Sequence, residues 1–585
     1  LHVGHAEAQR LLGPEPERGP VAQLLAWARA QTPGALDVVH IRDWHDPEDP
    51  AQQDHLRAFG RHCIQHTGGA RLVRDLDHEA AARGEAIVDS LTLNDFFNTR
   101  LAAVLEGIRE RAGGAPLRVG VIGVLTEAKG SYLLYELKTR CGIDELAACS
   151  ALAASNSRTQ HFNALEQLRK LLGVRVFDSV SEFAAWLKPG SRVELPGPAA
   201  AFGPRLEVEG GGTLDEDDMR IAAHLFRDST EAALQPLSGG FSGARVFKAS
   251  SRDALGHRQA PAVVKLGPAR LIGQERAAFE RVEEILGNHA PSVRGFVDLG
   301  ARAGLKYSYA AMGQGAIRTF KSLYEDGMPD AQVEAVLREV FENILGPLYQ
   351  AAKYERLALL EHYGFSPQWA PSVREKVRAI VPLQSDATYI EFEGGVDAKN
   401  LCAFYESFLT EPAPSGNEYH YVSYVHGDLN GANVLLDGRD NVWVIDFFHT
   451  ARGHVLKDLA KFENDLLYIL TRLETREELA QALALTQALR EVKDLRVGLP
   501  ELPGDVRAPQ LLRAWRALRV LRALAAPLVG DDRHPLQMQA ALLRYAAHTL
   551  GFNESSALQK EWALFAACGW AEDVAKTVRA DRVLR

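Results

Sequence analysis

Cysteine is scarce in this chain of 585 residues. There are five (Cys63, Cys141, Cys149, Cys402 and Cys568), an odd number with no C-x-x-C pair. A disulfide framework and a thiolate zinc site are therefore excluded, and a reducing, cytoplasmic setting is expected. Also missing is any run of about 18 apolar residues, the length needed to span a bilayer. The N-terminus LHVGHAEAQR has no basic segment leading into an apolar one, so neither a secretory leader nor a membrane partner is expected. Neither sign of charge dominates, since 66 Lys+Arg against 76 Asp+Glu leave a net charge of -10. Such a balance gives no general attraction to phosphate backbones, and no nucleic-acid partner is expected. Fixed-period repeats and low-complexity tracts are absent as well. What remains is an ordinary globular composition, 46% hydrophobic and 24% charged, with length for about three folding units.

The first part alternates short apolar runs (ALDVVHIRD, LRVGVIGVL, VRVFDSV) with amphipathic stretches such as HFNALEQLRKLL. Apolar runs of this length between helices predict buried parallel strands in an α/β layered domain over 1–188. Pro and Gly punctuate the following stretch, which makes 189–222 a linker and entry helix. Asp215, Glu216, Asp217 and Asp218 read as the acidic start of that helix and not as a metal cluster. Strand-like segments then predict a lobe over 223–325. A largely helical lobe over 326–585 begins with a helical insertion from Asp330 to Arg378.

The most informative stretch is HGDLNGANVLLDGRDNVWVIDF, from His426. Two strands, VLLD and VWVI, joined by Gly438 to Asn441, predict a hairpin that holds Asn433 and Asp446 side by side. An amide oxygen beside a carboxylate is a hard-oxygen site suited to Mg2+. Asp428, on the loop, is placed to accept a proton from an attacking hydroxyl. Phosphoryl transfer needs these parts and little covalent chemistry, because positioning and charge neutralisation dominate it.

Such a reading requires a phosphate cradle and a lysine upstream, and both are present. Gly239, Gly240, Ser242 and Gly243 lie between strand-like segments, where backbone N–H groups can approach a triphosphate. The strand PAVVKLG presents Lys265 in the arrangement that reaches nucleotide phosphates. The helix after it offers Glu275 to pair with Lys265, with Glu280 and Glu284 as alternatives that spacing alone does not separate.

These motifs resemble the aminoglycoside phosphotransferase and choline kinase type of enzyme, a branch of the protein-kinase-like fold, over about 230 to 470. The resemblance implies ATP and Mg2+ as cofactors. It makes Asp428 the catalytic base, puts Asn433 and Asp446 on the metal, and puts Lys265 on the nucleotide phosphates. It further implies that Asp458 braces the catalytic loop and that Met312 to Gly315 flank the adenine. The implied activity is transfer of the γ-phosphate to an alcohol group of an acceptor that the sequence does not identify. The alternative is a nucleotide-binding pseudokinase scaffold in a multi-protein complex.

In the N-terminal part, VVHIRDWHDPEDP, FGRHCIQHTGGARLV, DSLTLNDFFNTRL and VGVIGVLTEAKGSY resemble the isochorismatase-like hydrolases, which include nicotinamidases. That family works with a cysteine nucleophile, a lysine and an aspartate. Here Lys129 stands at the cysteine's place, Ser90 at the lysine's, and His5 at that of the strand-end aspartate. The expectation is a domain inactive in that reaction, serving regulation or assembly through a second copy or a partner protein. Asp43, His45 and His62 match the family's D-W-H and later H-C pattern and form a candidate metal set, while Cys63 reads as a buried free thiol. The arginines at 513, 516, 519 and 522 read as a solvated helix face. The expected fold class is therefore α/β multidomain: a parallel-sheet isochorismatase-like layered domain, then a bilobal protein-kinase-like α+β domain with a largely helical C-lobe.

Overall fold

The computed structural model describes residues 3–12, 19–32, 34–73, 76–190, 193, 203–236, 244–286, 292–308, 318–411 and 418–583. The candidate cradle residues Gly239, Gly240, Ser242 and Gly243, and the stretch Met312 to Gly315, lie outside them. The chain forms two compact units, residues 1–284 with 291–310, and residues 285–290 with 311–585. The boundary expected at 188 lies inside the first.

The first unit opens with a parallel layer. Strands β1 (Val39–Asp43) and β2 (Ala86–Ser90) pair in parallel. Strand β3 (Arg118–Val124) pairs with β4 (Glu145–Ala154), which pairs with β5 (Arg175–Phe177), all parallel. Every residue of β4 from Leu146 to Ala154 is buried, as a central strand covered on both faces requires. The helix Arg158–Leu172 starts at Ser157, whose hydroxyl accepts from the Gln160 N–H, and stops at Gly173 in the left-handed conformation. Its apolar face, Phe162, Leu165 and Leu168, packs with Leu134, Leu146 and Val88.

The same unit carries a six-stranded sheet of β6 (Arg205–Val208), β7 (Ser229–Pro236), β8 (Arg245–Asp253), β9 (Ala262–Pro268), β10 (Ser292–Leu299) and β11 (Arg302–Ser308). Its order is β10-β11-β9-β8-β7-β6, antiparallel except for β6 with β7. The acidic run forms the expected helix start: the Asp215 side chain accepts from the Asp218 N–H at 2.8 Å, and Glu216–Leu225 follows. That helix seats Ile221 and Leu225 on the sheet with Val264, Leu266 and Val297. The contact is so close that a Cβ on Gly304 would come within 2.3 Å of Ile221.

The second unit is mainly helical, with short strands β12 (Arg318–Thr319), β13 (Lys353–Arg356), β14 (Tyr389–Phe392), β15 (Val396–Lys399), β16 (Tyr419–Val425), β17 (Val434–Leu436), β18 (Val442–Val444) and β19 (Ala451–His454). The insertion expected to be helical from Asp330 to Arg378 is interrupted by β13, an edge partner of β16. Tyr354 of β13 lies 5.7 Å from the Tyr419 ring and 5.2 Å from Tyr421, and this cross-strand aromatic contact is nonlocal, so no helical periodicity announces it. The arginine face of the helix Pro509–Ala525 is also not simply solvated. Arg513 donates to the Tyr324 carbonyl, Arg516 pairs with Asp330 at 2.5 Å, and Arg522 pairs with the buried Glu463 at 2.7 Å. Among the described residues, no helix is long and apolar enough to cross a membrane.

Candidate phosphotransfer site and the N-terminal cluster

In the second unit, β16 delivers the chain into the turn His426-Gly427-Asp428. Gly427 has φ +89, and a Cβ there would stand 2.2 Å from the His449 carbonyl oxygen, so only glycine fits. The turn closes on Asp458, which is fully buried in the helix Lys457–Asp465. The His426 and Gly427 N–H groups each donate to its carboxylate at 2.7 Å, and the Tyr349 hydroxyl donates at 2.9 Å. Three donors converging on one carboxylate fix the loop's path.

The hairpin has the expected form: Val434 faces Val444, and the Ile445 N–H donates to the Asn433 carbonyl at 2.9 Å. Asn433 and Asp446 are thereby brought to neighbouring positions. The Asn433 side-chain N–H donates to the Asp428 carbonyl at 3.0 Å, which ties hairpin to loop. His426 Nε2–H donates to the Ile445 carbonyl at 2.9 Å. Asp446 itself has φ +67, a left-handed conformation that costs about 1 kcal/mol for a non-glycine residue. Asp428, Asn433 and Asp446 are all partly exposed, as a ligand-facing set must be.

Sequence reasoning missed Lys461. Its ammonium lies 3.7 Å from Asp428 Oδ1, with the Tyr545 and Phe552 ring centroids at 5.7 and 5.9 Å. The signal was available in KDLAKF, because Lys461 follows Asp458 by three positions and shares its helix face. Asp465, one further turn along, accepts from the Gly431 N–H at 2.8 Å, and burial pushes its carboxyl up.

In the first unit, Lys265 on β9 meets Glu275 of the helix Ala269–Glu280 at 2.6 Å. The Tyr307 hydroxyl donates to the same Glu275 oxygen at 2.7 Å. Of the alternatives, Glu280 turns to other partners, pairing with Arg276 at 2.6 Å and Arg158 at 3.7 Å. Burial opposes its charge, but Arg276, Arg158 and Arg10 prevail and hold the carboxyl down to about 2. The Glu284 side chain lies outside the described set.

The N-terminal layer gathers a second constellation. Lys129, in the turn Thr126–Gly130, donates to the Ser90 hydroxyl at 2.7 Å and to Asp95 at 3.0 Å, and pairs with Asp43. Two positions that depart from the hydrolase pattern therefore touch one another. His5, expected at the place of a strand-end aspartate, is instead an exposed residue of the helix Gly4–Leu12. Cys63 is half-buried, less enclosed than expected, and burial raises its thiol pKa. Beside this group, one nitrogen each of His45, His55 and His62 lie within 4.8 Å of one another. Sequence reasoning had His45 and His62 with Asp43, but His55, on the helix Gln53–Phe59, was not among them. The Nε2 atoms of His45 and His55 are buried without a hydrogen-bond partner. Burial pushes the His45 pKa down and that of His55 down to about 4, so both are neutral imidazoles able to ligate a divalent transition metal. The three imidazoles are a donor set that fits such an ion, and the Asp43 carboxylate, expected among the ligands, lies 3.8 Å from His62 and pairs with Lys129.

The first unit thus joins a parallel α/β layer to a mostly antiparallel six-stranded sheet, and the second unit is mainly helical. Over residues 229–391 and 377–551 the chain matches the Ternary complex associated domain 9 family, and it belongs to that family. Comparison with curated proteins gives no match. Among solved structures, the chain is similar to nicotinamidase/pyrazinamidase PncA from Bacillus subtilis, at 22% identity over 28% of this chain and 86% of that one, with TM-score 0.24. It is also similar to a thermostable mutant of aminoglycoside phosphotransferase APH(4)-Ia, at 15% identity over 59% of this chain and 94% of that one, with TM-score 0.28. A ternary complex of a mutant of that enzyme with AMP-PNP and hygromycin B matches at 14% identity over 59% and 93% of the two chains, with TM-score 0.26.

Proposed function

We propose that this protein is a cytoplasmic, ATP- and Mg2+-dependent phosphotransferase that moves the γ-phosphate to a hydroxyl group of an acceptor, with an N-terminal domain that does not run the hydrolase reaction. The observation that carries the reading is the Asp458-braced turn, which sets Asp428 beside a hairpin with Asn433 and Asp446 just beyond the open ends of its two strands. Asp428 orients the acceptor hydroxyl and takes its proton. The oxygen so freed bonds to the γ-phosphorus in line as the bond to the β,γ-bridging oxygen breaks, and ADP leaves. The Asn433 amide oxygen and the Asp446 carboxylate would hold Mg2+, which when bound neutralises charge on the phosphates. Lys265, held by Glu275, serves the nucleotide phosphates, and Gly239, Gly240, Ser242 and Gly243 supply N–H groups and a hydroxyl. In the N-terminal domain Lys129 occupies the nucleophile's place, and an ammonium paired with two carboxylates is no nucleophile.

Incubation of a metabolite and protein extract with ATP carrying a heavy-isotope γ-phosphate, read by mass spectrometry, tests this. A labelled product that forms with the wild type and not with Asp428→Asn is the expected result. Equal labelling by both would refute the assignment.

A second reading is favoured by the family's own description, Ternary complex associated domain 9: the chain binds nucleotide as one member of a multi-protein assembly, without transfer. MgATP binding together with no labelled product in any extract would select it.

A further inference from the structure

The helix Ala269–Glu280 is gripped from two sides within the first unit. One side chain, Glu275, meets Lys265. The next, Arg276, points into the N-terminal layer and is only 2% exposed. Its guanidinium donates to the Ser150 hydroxyl on β4 at 2.8 Å, to the Asp178 carbonyl at 3.2 Å and to Glu280 at 2.6 Å, and lies 5.1 Å from the Phe296 ring centroid. Glu280 faces Arg158 at the start of the helix Arg158–Leu172, and Arg158 in turn bonds Glu7 and Glu283. At Gly273 the helix backbone lies directly on this layer, since a Cβ there would come within 2.7 Å of the Asp178 carbonyl oxygen. Nearby, Asp298 of β10 is buried and accepts from the hydroxyls of Ser179 and Ser181.

Buried charges are a costly way to hold two surfaces together, because apolar side chains of the same volume stabilise a contact as well or better. What directed ion pairs add is orientation. With helical Cα atoms about 2.3 Å from the axis and a carboxylate at roughly 6 Å, a rotation of about 20° displaces the Glu275 carboxylate by ~2 Å. Such a shift is enough to break its 2.6 Å pair with Lys265. Residues 275 and 276 are consecutive, so whatever fixes the rotation of one fixes the other.

We propose that Arg276 is a positioning residue: by locking the helix onto the N-terminal layer through Ser150, Asp178 and Glu280, it holds Glu275 against Lys265, and so makes the isochorismatase-like domain a working part of the nucleotide-phosphate grip. The link to phosphate handling rests on the phosphotransferase reading; the link from Arg276 to Lys265 does not.

The test therefore measures Lys265 itself in the full-length protein. Amine acylation by an excess of acetic anhydride is followed by peptide mass spectrometry, with exposed Lys493 as internal reference. Glu275→Gln sets the scale for a released lysine. The expected result is that Arg276→Met raises the Lys265 labelling rate about fivefold or more, toward the Glu275→Gln value, with Arg276→Lys closer to wild type, since removing one partner frees the other from a buried network. Ser150→Ala, a milder change, should raise labelling about twofold by removing one hydrogen-bond partner. Wild-type labelling rates in Arg276→Met, or in Ser150→Ala if the former does not fold, would overturn the proposal. If the wild type transfers phosphate, Arg276→Met should also raise the KM for ATP about tenfold with a smaller change in kcat. An unchanged KM would likewise overturn it. Absence of turnover in the wild type would remove the phosphotransferase reading and leave the labelling result to decide the positioning.

Discussion

At the scale of single residues, the site depends on side chains whose types were legible and on others whose partners were not. Asp428, Asn433 and Asp446 follow from the spacing of HGDLNGAN and IDF, because a short hairpin leaves them nowhere else to go. Replacing Asp446 with Ala should abolish turnover and weaken MgATP binding at least tenfold, measured by titration calorimetry, whereas Asp428→Asn should spare binding and slow transfer by about 10²–10⁴. Lys461 is the residue the sequence did not offer. Its ammonium is near enough to Asp428 to fix that carboxylate's direction, and Lys461→Met should lower kcat about tenfold with little change in the KM for ATP. His55 was missed for a different reason: it lies on its own helix and comes near His45 and His62 only when the layer folds. Elemental analysis after incubation with Zn2+ should find about one ion per chain, and His55→Ala should weaken binding by about tenfold or more.

The controlling element is the helix Lys457–Asp465. Asp458, Lys461 and Asp465 stand at positions i, i+3 and i+7, so one helix face supplies the brace for His426 and Gly427, the cation beside Asp428, and the acceptor for Gly431. Asp458→Asn keeps the size but turns one acceptor into a donor facing an N–H. That should cost on the order of 2–3 kcal/mol, seen as a lower urea midpoint, and should reduce turnover more than stability alone accounts for. The strand β13 shows where reading by element fails. KYER has no strong alternation of its own, and its pairing with β16 comes from tyrosines about 65 residues further on.

At the scale of the whole molecule, buried neutral histidines make the fold acid-sensitive. Burial pushes His161 and His454 down to about 3 and His362 down to about 4. His454 is held neutral between the Tyr363 hydroxyl, which donates to Nδ1, and Gln537, which accepts from Nε2. A base whose pKa is lower folded than unfolded contributes stability above the unfolded value, near 6.5, and that contribution is lost as pH falls toward the folded value. Each such histidine should cost about 2 kcal/mol by pH 5, so chemical denaturation at pH 5 should show a clearly lower midpoint than at pH 7.5, and His454→Gln should reduce the difference. What the sequence determined by itself was local: the parallel-strand pattern of the N-terminal layer, the hairpin that carries Asn433 and Asp446, and the choice of residue types at the turn His426-Gly427-Asp428, all set by spacing over fewer than about 30 residues. What only the tertiary structure decided was which charges meet across long separations. Glu275 and not Glu280 takes Lys265, Arg276 reaches Ser150, and His55 joins His45, because helix rotation and layer packing, which no short-range pattern encodes, select those partners.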